Sequence, residues 1–282
     1  MNTTSRRSPL LSVWLLLGYT FLYAPIVILI VFSFNESKLV TVWAGFSTKW
    51  YGELLQDRQM LMAGWLSLRL ALMSATAAVV LGILAGLVMA RFGRFRGHSL
   101  FAAMITAPLV MPEVITGLSM LLLFVSMEGI IGWPAGRGMT TLWITHVTFC
   151  AAFVAVVITS RLREMDVSVE EAAMDLGAPP FKVFTAITLP IIMPAIAAGW
   201  LLAFTLSLDD LVISSFVAGP GSTTLPMKVF SSVRLGISPK INALATIVVV
   251  FVSLCALGAG ILMLRAERRR KFEIQAAMRE TA

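Results

Sequence analysis

Six apolar runs, each long enough to cross about 30 Å of hydrocarbon as a helix, dominate the chain: Leu11 to Phe34, Ala63 to Ala90, Leu100 to Ser126, Met139 to Ser160, Ile191 to Val217 and Asn242 to Leu264. With 58% hydrophobic and only 13% charged residues, the composition excludes an ordinary soluble domain and makes the bilayer the solvent. The sequence therefore predicts an all-α membrane protein with six transmembrane helices. The first run follows Arg6 and Arg7, as a signal peptide would. It is too long for the apolar part of such a peptide and lacks a small-residue cleavage site, so it is expected to remain as an uncleaved span. No repeat, low-complexity tract or separate soluble domain interrupts the pattern, and residues 1–282 are expected to form a single membrane domain.

The formal charge of +7 is a matter of topology rather than of nucleic-acid binding, because the basic residues gather at the ends of apolar runs. The amino terminus, the "RFGRFRGH" loop, the Arg161 to Pro190 loop and the carboxy-terminal tail hold fourteen Lys/Arg, against seven on the opposite segments. Both termini are thus predicted to be cytoplasmic, with the tail from Arg265 to Lys271 at anionic headgroups. The segments on the other side carry "GPGSTTLP" and the tryptophans Trp43, Trp50 and Trp133, which suit loops and surface-lying helices at an interface. Cys150 and Cys255 lie in apolar runs as small hydrophobes, and His98 and His146 are too few for a metal or triad site. There is no G-x-x-x-x-G-K-[ST], H-E-x-x-H or G-x-S-x-G motif, so no catalytic residue, metal or cofactor is expected in this chain.

Three carboxylates stand out inside the apolar runs. Asp209 and Asp210 fall in "FTLSLDDLVISSFV" and Glu113 in "APLVMPEVITG". At 1.5 Å per residue, Asp209 lies about 27 Å along its helix from Ile191 and Glu113 about 20 Å along its own from Leu100, so the three acids are expected at one depth. Intramembrane acids mark pathways by default. Adjacent helical residues point about 100° apart, so one aspartate can line a pathway while the other braces a neighbouring helix or a partner subunit. The alternative is that one or both aspartates cap a helix or pair within the bundle, with Arg69 as the candidate base. Pro108, Pro112 and Pro194 interrupt the third and fifth runs, either as kinks beside a pathway or as ordinary transmembrane prolines. Trp200 and Phe204, at helical spacing, are expected to pack, and Gly82 and Gly86 form a G-x-x-x-G that permits close approach of some second helix.

The long basic-side loop, residues 161–190, contains "RLREMDVSVEEAAMDLGAPPFKVFTAITLP". It predicts a short helix over Val169 to Leu176, a left-handed stop at Gly177, and a second helical stretch after Pro179 and Pro180. Ala172 and Ala173 allow another surface to approach, and Glu171 and Asp175 share one face. A solvated connector would have similar spacing. However, Glu171, Ala172, Ala173, Gly177, Ile187, Leu189 and Pro190 match the EAA loop of ATP-binding-cassette importer permeases, and the chain is identified as resembling that family. The segments "APLVMPEVITG", "HVTFC", "INALATI" and the stretch from Met193 to Pro226 resemble its spermidine/putrescine branch, and "LVTVWAGFSTKWY" that branch's putrescine-system subunit.

The resemblance implies a type I importer permease fold. It also implies a heterodimer with a second permease subunit, two ATPase subunits that bind ATP and magnesium and receive the EAA loop, and a periplasmic polyamine-binding protein. The chain would then be no enzyme but half of a pathway for putrescine or spermidine, with Glu113, Asp209 and Asp210 as acceptors for ammonium groups. Where relatives in this branch often have Asp in "MPDVITG", Glu113 keeps the charge with a longer reach. The competing readings are an importer of the same build for another cargo, a proton-coupled secondary transporter, and a structural assembly subunit.

Overall fold

The computed structural model describes residues 9–39, 42–236, 238–254, 257, 258 and 261. Arg6, Arg7, Cys255 and the basic tail lie outside them. The described chain is helical, with one isolated bridge between Asn35 and Phe46. Among the described residues five helices are long and apolar enough to cross a membrane: Ser12–Phe32, Arg58–Arg91, Glu113–Ile131, Met139–Glu164 and Pro180–Asp209; His98–Val110 and Pro239–Leu254 are shorter apolar helices, and the end of the expected run from Asn242 to Leu264 lies outside the described residues. The described residues fall into two units, one from Met1–Arg58 and Ser232–Ala282 and the other Gln59–Ser231.

In the first unit, α1 (Pro9–Phe32) exposes apolar side chains along its length, from Leu10 to Val31. Such a surface suits lipid or another apolar helix. The chain beyond it closes on Asn35, whose side chain donates to the Val42 carbonyl at 2.7 Å and accepts from Ala44 N–H at 2.9 Å. Trp50, on α2 (Lys49–Gln56), donates its indole N–H to the Asn35 carbonyl at 2.6 Å. Trp50 is therefore a buried organiser of this loop, unlike the exposed Trp43.

The second unit holds α3 (Arg58–Arg91) beyond its first residue, then α4 (His98–Val110), α5 (Glu113–Ile131), α6 (Met139–Glu164), α7 (Ser168–Asp175), α8 (Pro180–Val183), α9 (Leu189–Asp209) and α10 (Val212–Val217), with a π-helical turn at Phe184–Thr188, and ends within α11 (Leu225–Leu235), at Ser231. The most buried of these is α6, packed against α4, α9 and α10. Small residues let the neighbours close in, as expected where lipid removes the hydrophobic drive and packing decides. A Cβ on Gly82 would come within 2.5 Å of Val154, and one on Gly86 within 2.7 Å of Ile158, so the G-x-x-x-G of α3 is the seat of α6. Gly199 on α9 lies against the same valine, its added Cβ falling 3.2 Å from Val154 Cγ1. Ala75, Phe149, Cys150, Val154, Ile192 and Ala203 belong to one buried cluster at these crossings.

Two of the expected spans are broken. The run drawn from Leu100 to Ser126 is α4 followed by α5, because Pro112 forces Met111 out of the helical region, to ψ 135°, and removes a backbone donor. The run drawn from Ile191 to Val217 ends as α9 at Asp209 and resumes as α10 at Val212, with Asp210 extended at ψ 122°. The two breaks are neighbours. Gly117 of α5 lies against Ile213 and Phe216 of α10, and Phe124 clusters with Val217. The helices therefore run in the same direction, which sets Glu113, one turn before Gly117, at the level of the α9–α10 break.

Candidate transport site and docking loop

Asp210 occupies the gap between α9 and α10, buried at 9% exposure. Its carboxylate accepts from Ile213 N–H at 3.1 Å, Ser214 N–H at 2.7 Å and the Ser214 hydroxyl at 2.7 Å. These are first-turn donors of α10 that no helical carbonyl can reach, so an aspartate there acts as a cap. His146 Nε2 on α6 lies 3.4 Å from the same carboxylate and 3.0 Å from the Ser214 hydroxyl, and Nδ1 is 2.7 Å from the Ser207 hydroxyl of α9. One imidazole thus joins α6, α9 and α10. The base beside Asp210 is His146 rather than Arg69, which lines a separate cavity of about 860 Å³ with Trp65, Gln59 and Lys228.

Asp209 is one residue away and exposed, as is Glu113 at the first position of α5. The pair of aspartates is divided by orientation, one turned into the bundle and one out of it. Trp200 and Phe204 stack at 5.4 Å, and Trp200 donates to the Thr76 hydroxyl at 3.3 Å, so these aromatics pack α9 on α3. Ser207 and Ser214 are the members of this network that a reading by charge misses. Their recurrence with Asp210 at intervals of three and four residues marks a single polar stripe in an apolar run.

The loop of residues 161–190 forms as the sequence predicts. Gly177 has φ +84°, Ala178 N–H donates to the Ala173 carbonyl at 3.1 Å and Gly177 N–H to Met174 at 2.9 Å, a Schellman stop for α7. Pro180 opens α8, where a missing N–H costs nothing. Glu171, Ala172, Asp175 and Gly177 are exposed, Ala173 is half-buried, Leu189 is half-buried and Pro190 exposed at the start of α9. Leu176 at 90% and Phe181 at 78% exposure add an uncovered apolar surface to this acidic face. At the other end of the loop's helix, Asp166 accepts from Ser168 N–H at 2.9 Å, which holds its carboxyl below the usual carboxylate range. The residue missed here is Glu170. It is buried, with Arg91 Nε 2.7 Å from Oε2 and the Thr188 hydroxyl 2.5 Å from Oε1.

Residues 78–272 match the family model of the binding-protein-dependent transport system inner membrane component. The chain belongs to this family. It is 66% identical over 273 residues, 97% of each chain, to the putrescine transport system permease protein PotI of Escherichia coli strain K12. It is 45% identical over 232 residues, 82% of this chain and 85% of the relative, to the spermidine/putrescine transport system permease protein PotC of the same strain. A solved bacterial ABC transporter involved in the import of the acidic polysaccharide alginate superposes with a TM-score of 0.68 at 15% identity, covering 89% of this chain and 93% of that one. At that identity the likeness concerns the fold alone. The permease is thus a multi-pass inner-membrane transport subunit of type I architecture, not an enzyme, in a family that works with a binding protein.

Proposed function

We propose that this permease forms half of the membrane pathway of an ATP-driven importer for polyamines, with putrescine the foremost cargo. The observation that carries the reading is the 66% identity, end to end, with a putrescine permease, which leaves little room for a rebuilt pathway. The geometry is compatible with it. Glu113 and Asp209 are exposed acids at two adjacent helix breaks, where unwound backbone and carboxylates can replace the hydration of ammonium groups, while apolar walls pass the methylenes. Binding at such a site is strengthened by the low dielectric and must stay weak enough for release. Asp210 serves differently: its lone pairs are engaged by α10 and His146, so it holds the break open at the correct place.

The partners follow from the same reading: a second, non-identical permease, two ATPases that bind ATP and magnesium beneath the loop of residues 161–190, and a periplasmic polyamine-binding protein. Exposed Glu171, Asp175, Leu176 and Phe181 offer the ATPase an acidic and apolar surface. The excess of Lys/Arg on the loop and terminal segments supports cytoplasmic termini. Proton-coupled transport by this chain alone fits neither the loop nor the family. The deciding experiment is uptake of labelled putrescine and spermidine by cells without other polyamine importers, with this chain and its partners restored. Competition by excess unlabelled polyamine supports the reading, and uptake of an anionic cargo instead would overturn it.

A further inference from the structure

The docking helix α7 is held to the spans by one charged knot. Glu170 and Glu171 are neighbours, about 100° apart around the helix, and only Glu171 faces outward. Oε2 of Glu170 accepts from Arg91 Nε at 2.7 Å, Oε1 accepts from the Thr188 hydroxyl at 2.5 Å, and Arg91 Nη1 donates to the Leu162 carbonyl at 2.8 Å. Arg91 is the last residue of α3, Leu162 is in the last turn of α6, and Thr188 closes the π-helical turn that leads into α9. One carboxylate therefore joins the docking helix to the end of α3 and the start of α9, and Arg91 extends the link to the end of α6.

Cohesion alone does not call for this arrangement. A buried ion pair is a poor stabiliser compared with an apolar replacement, and Val183 in the same loop shows that apolar burial is available there. What charge-assisted bonds add is direction and register. The covalent route from α7 to α9 runs through a left-handed glycine, Pro179, the four residues of α8 and the π-helical turn, with Pro190 just beyond. The left-handed glycine and the short α8 are joints that can absorb a displacement, and π turns recur at functional sites. The knot, which ends at Thr188, bypasses the glycine, Pro179 and α8. Arg91 Nη2 is buried and has no acceptor among the described residues, so the guanidinium holds a donor in reserve for regrouping.

We propose that Arg91, Glu170 and Thr188 form the transmission clamp of this permease: they are positioning residues that carry movement of the docked α7 into α3 and α9 together. The proposal rests on the importer reading above, and breaking the clamp uncouples ATP hydrolysis from transport while docking and pathway persist.

The test is the complete importer, purified and reconstituted in proteoliposomes with its binding protein, scored for putrescine uptake and ATP hydrolysis together. Glu170→Gln is expected to keep hydrolysis within about twofold and to lower uptake at least tenfold, and Thr188→Val, which leaves the Arg91 pair intact, to give an intermediate ratio. The exchange Arg91→Glu with Glu170→Arg is expected to restore part of the ratio. A parallel fall of uptake and hydrolysis, or an unchanged ratio in both single variants, overturns the clamp. If Glu170→Gln does not assemble, Thr188→Val alone decides. If the unaltered complex moves no putrescine, the cargo reading fails separately. The clamp is then judged by ATP-dependent thiol labelling of Asp209→Cys in a chain lacking its native cysteines: a response that persists with Glu170→Gln overturns it, and loss of the response with hydrolysis intact supports it.

Discussion

His146 and Asp210 meet across α6 and the α9–α10 break, Nε2 to Oδ2 at 3.4 Å, with side-chain exposures of 2% and 5%. A carboxylate so enclosed is a structural joint. Asp210→Ala leaves the Ile213 and Ser214 amides and the Ser214 hydroxyl without their acceptor and removes the carboxylate beside the His146 imidazole, and is expected to cost about 3 kcal/mol of stability. A thermal-unfolding cycle of Asp210→Ala, His146→Ala and the double variant should return a coupling of about 1–3 kcal/mol. Additive losses would mean that the contact contributes nothing of its own.

Asp209 and Glu113 should behave otherwise. Being exposed, each can be neutralised without leaving a buried donor orphaned. Asp209→Asn and Glu113→Gln are expected to reach the membrane at normal levels and to lower putrescine uptake about tenfold or more, equivalent to about 1.4 kcal/mol in the transport step. Full uptake by both would remove them from the pathway.

The helix crossings rank the glycines. Gly82→Ala places a methyl 2.5 Å from Val154, and Gly86→Ala places one 2.7 Å from Ile158, where overpacking costs about 1–3 kcal/mol; at Gly199 the nearest atom is 3.2 Å away and the loss should be smaller. Gly64→Ala, with open space around it, serves as the control. Detergent melting temperatures that do not follow this order would contradict the packing of α3 and α9 on α6.

Leu176 and Phe181 project from the loop with no cover among the described residues. Leu176→Asp and Phe181→Asp should leave membrane levels unchanged and weaken co-purification of the ATPase at least tenfold, because each replaces buried apolar contact with a charge at an interface. Retention of the ATPase would place docking elsewhere on the loop.

Asp166 gives the loop a modest pH dependence. Its folded-state pKa is lowered by the Ser168 backbone and hydroxyl, so the support it lends α7 is complete above the unfolded value of about 3.9 and is lost as pH falls through the folded one. Amide exchange at Ser168 should accelerate below about pH 4 relative to Ala102 in α4, and Asp166→Asn should abolish that additional acceleration.

The bilayer solvent, the helical architecture, the run positions and the helix–stop–helix shape of residues 161–190 were legible in the sequence because each rests on local chemistry: apolar length, basic flanks, and a Gly-Ala-Pro-Pro stop. The acids were legible too, since charge inside an apolar run is conspicuous. Their division of labour was not. Asp209 and Asp210 are identical in chemistry and adjacent in sequence, and what separates them is the turn of backbone at ψ 122° and the imidazole brought from α6. The same holds for Glu170 and Glu171: the motif draws the eye to the exposed one, while the buried one finds Arg91, 79 residues away. Pro112 announced a break but not its neighbour, because the juxtaposition of two breaks is a property of how α5 lies along α10. Local rules determined which segments are helices and where charge resides. Only packing, which acts between residues far apart in the chain, decided which of two equivalent carboxylates braces the fold and which is left to face a ligand or a partner.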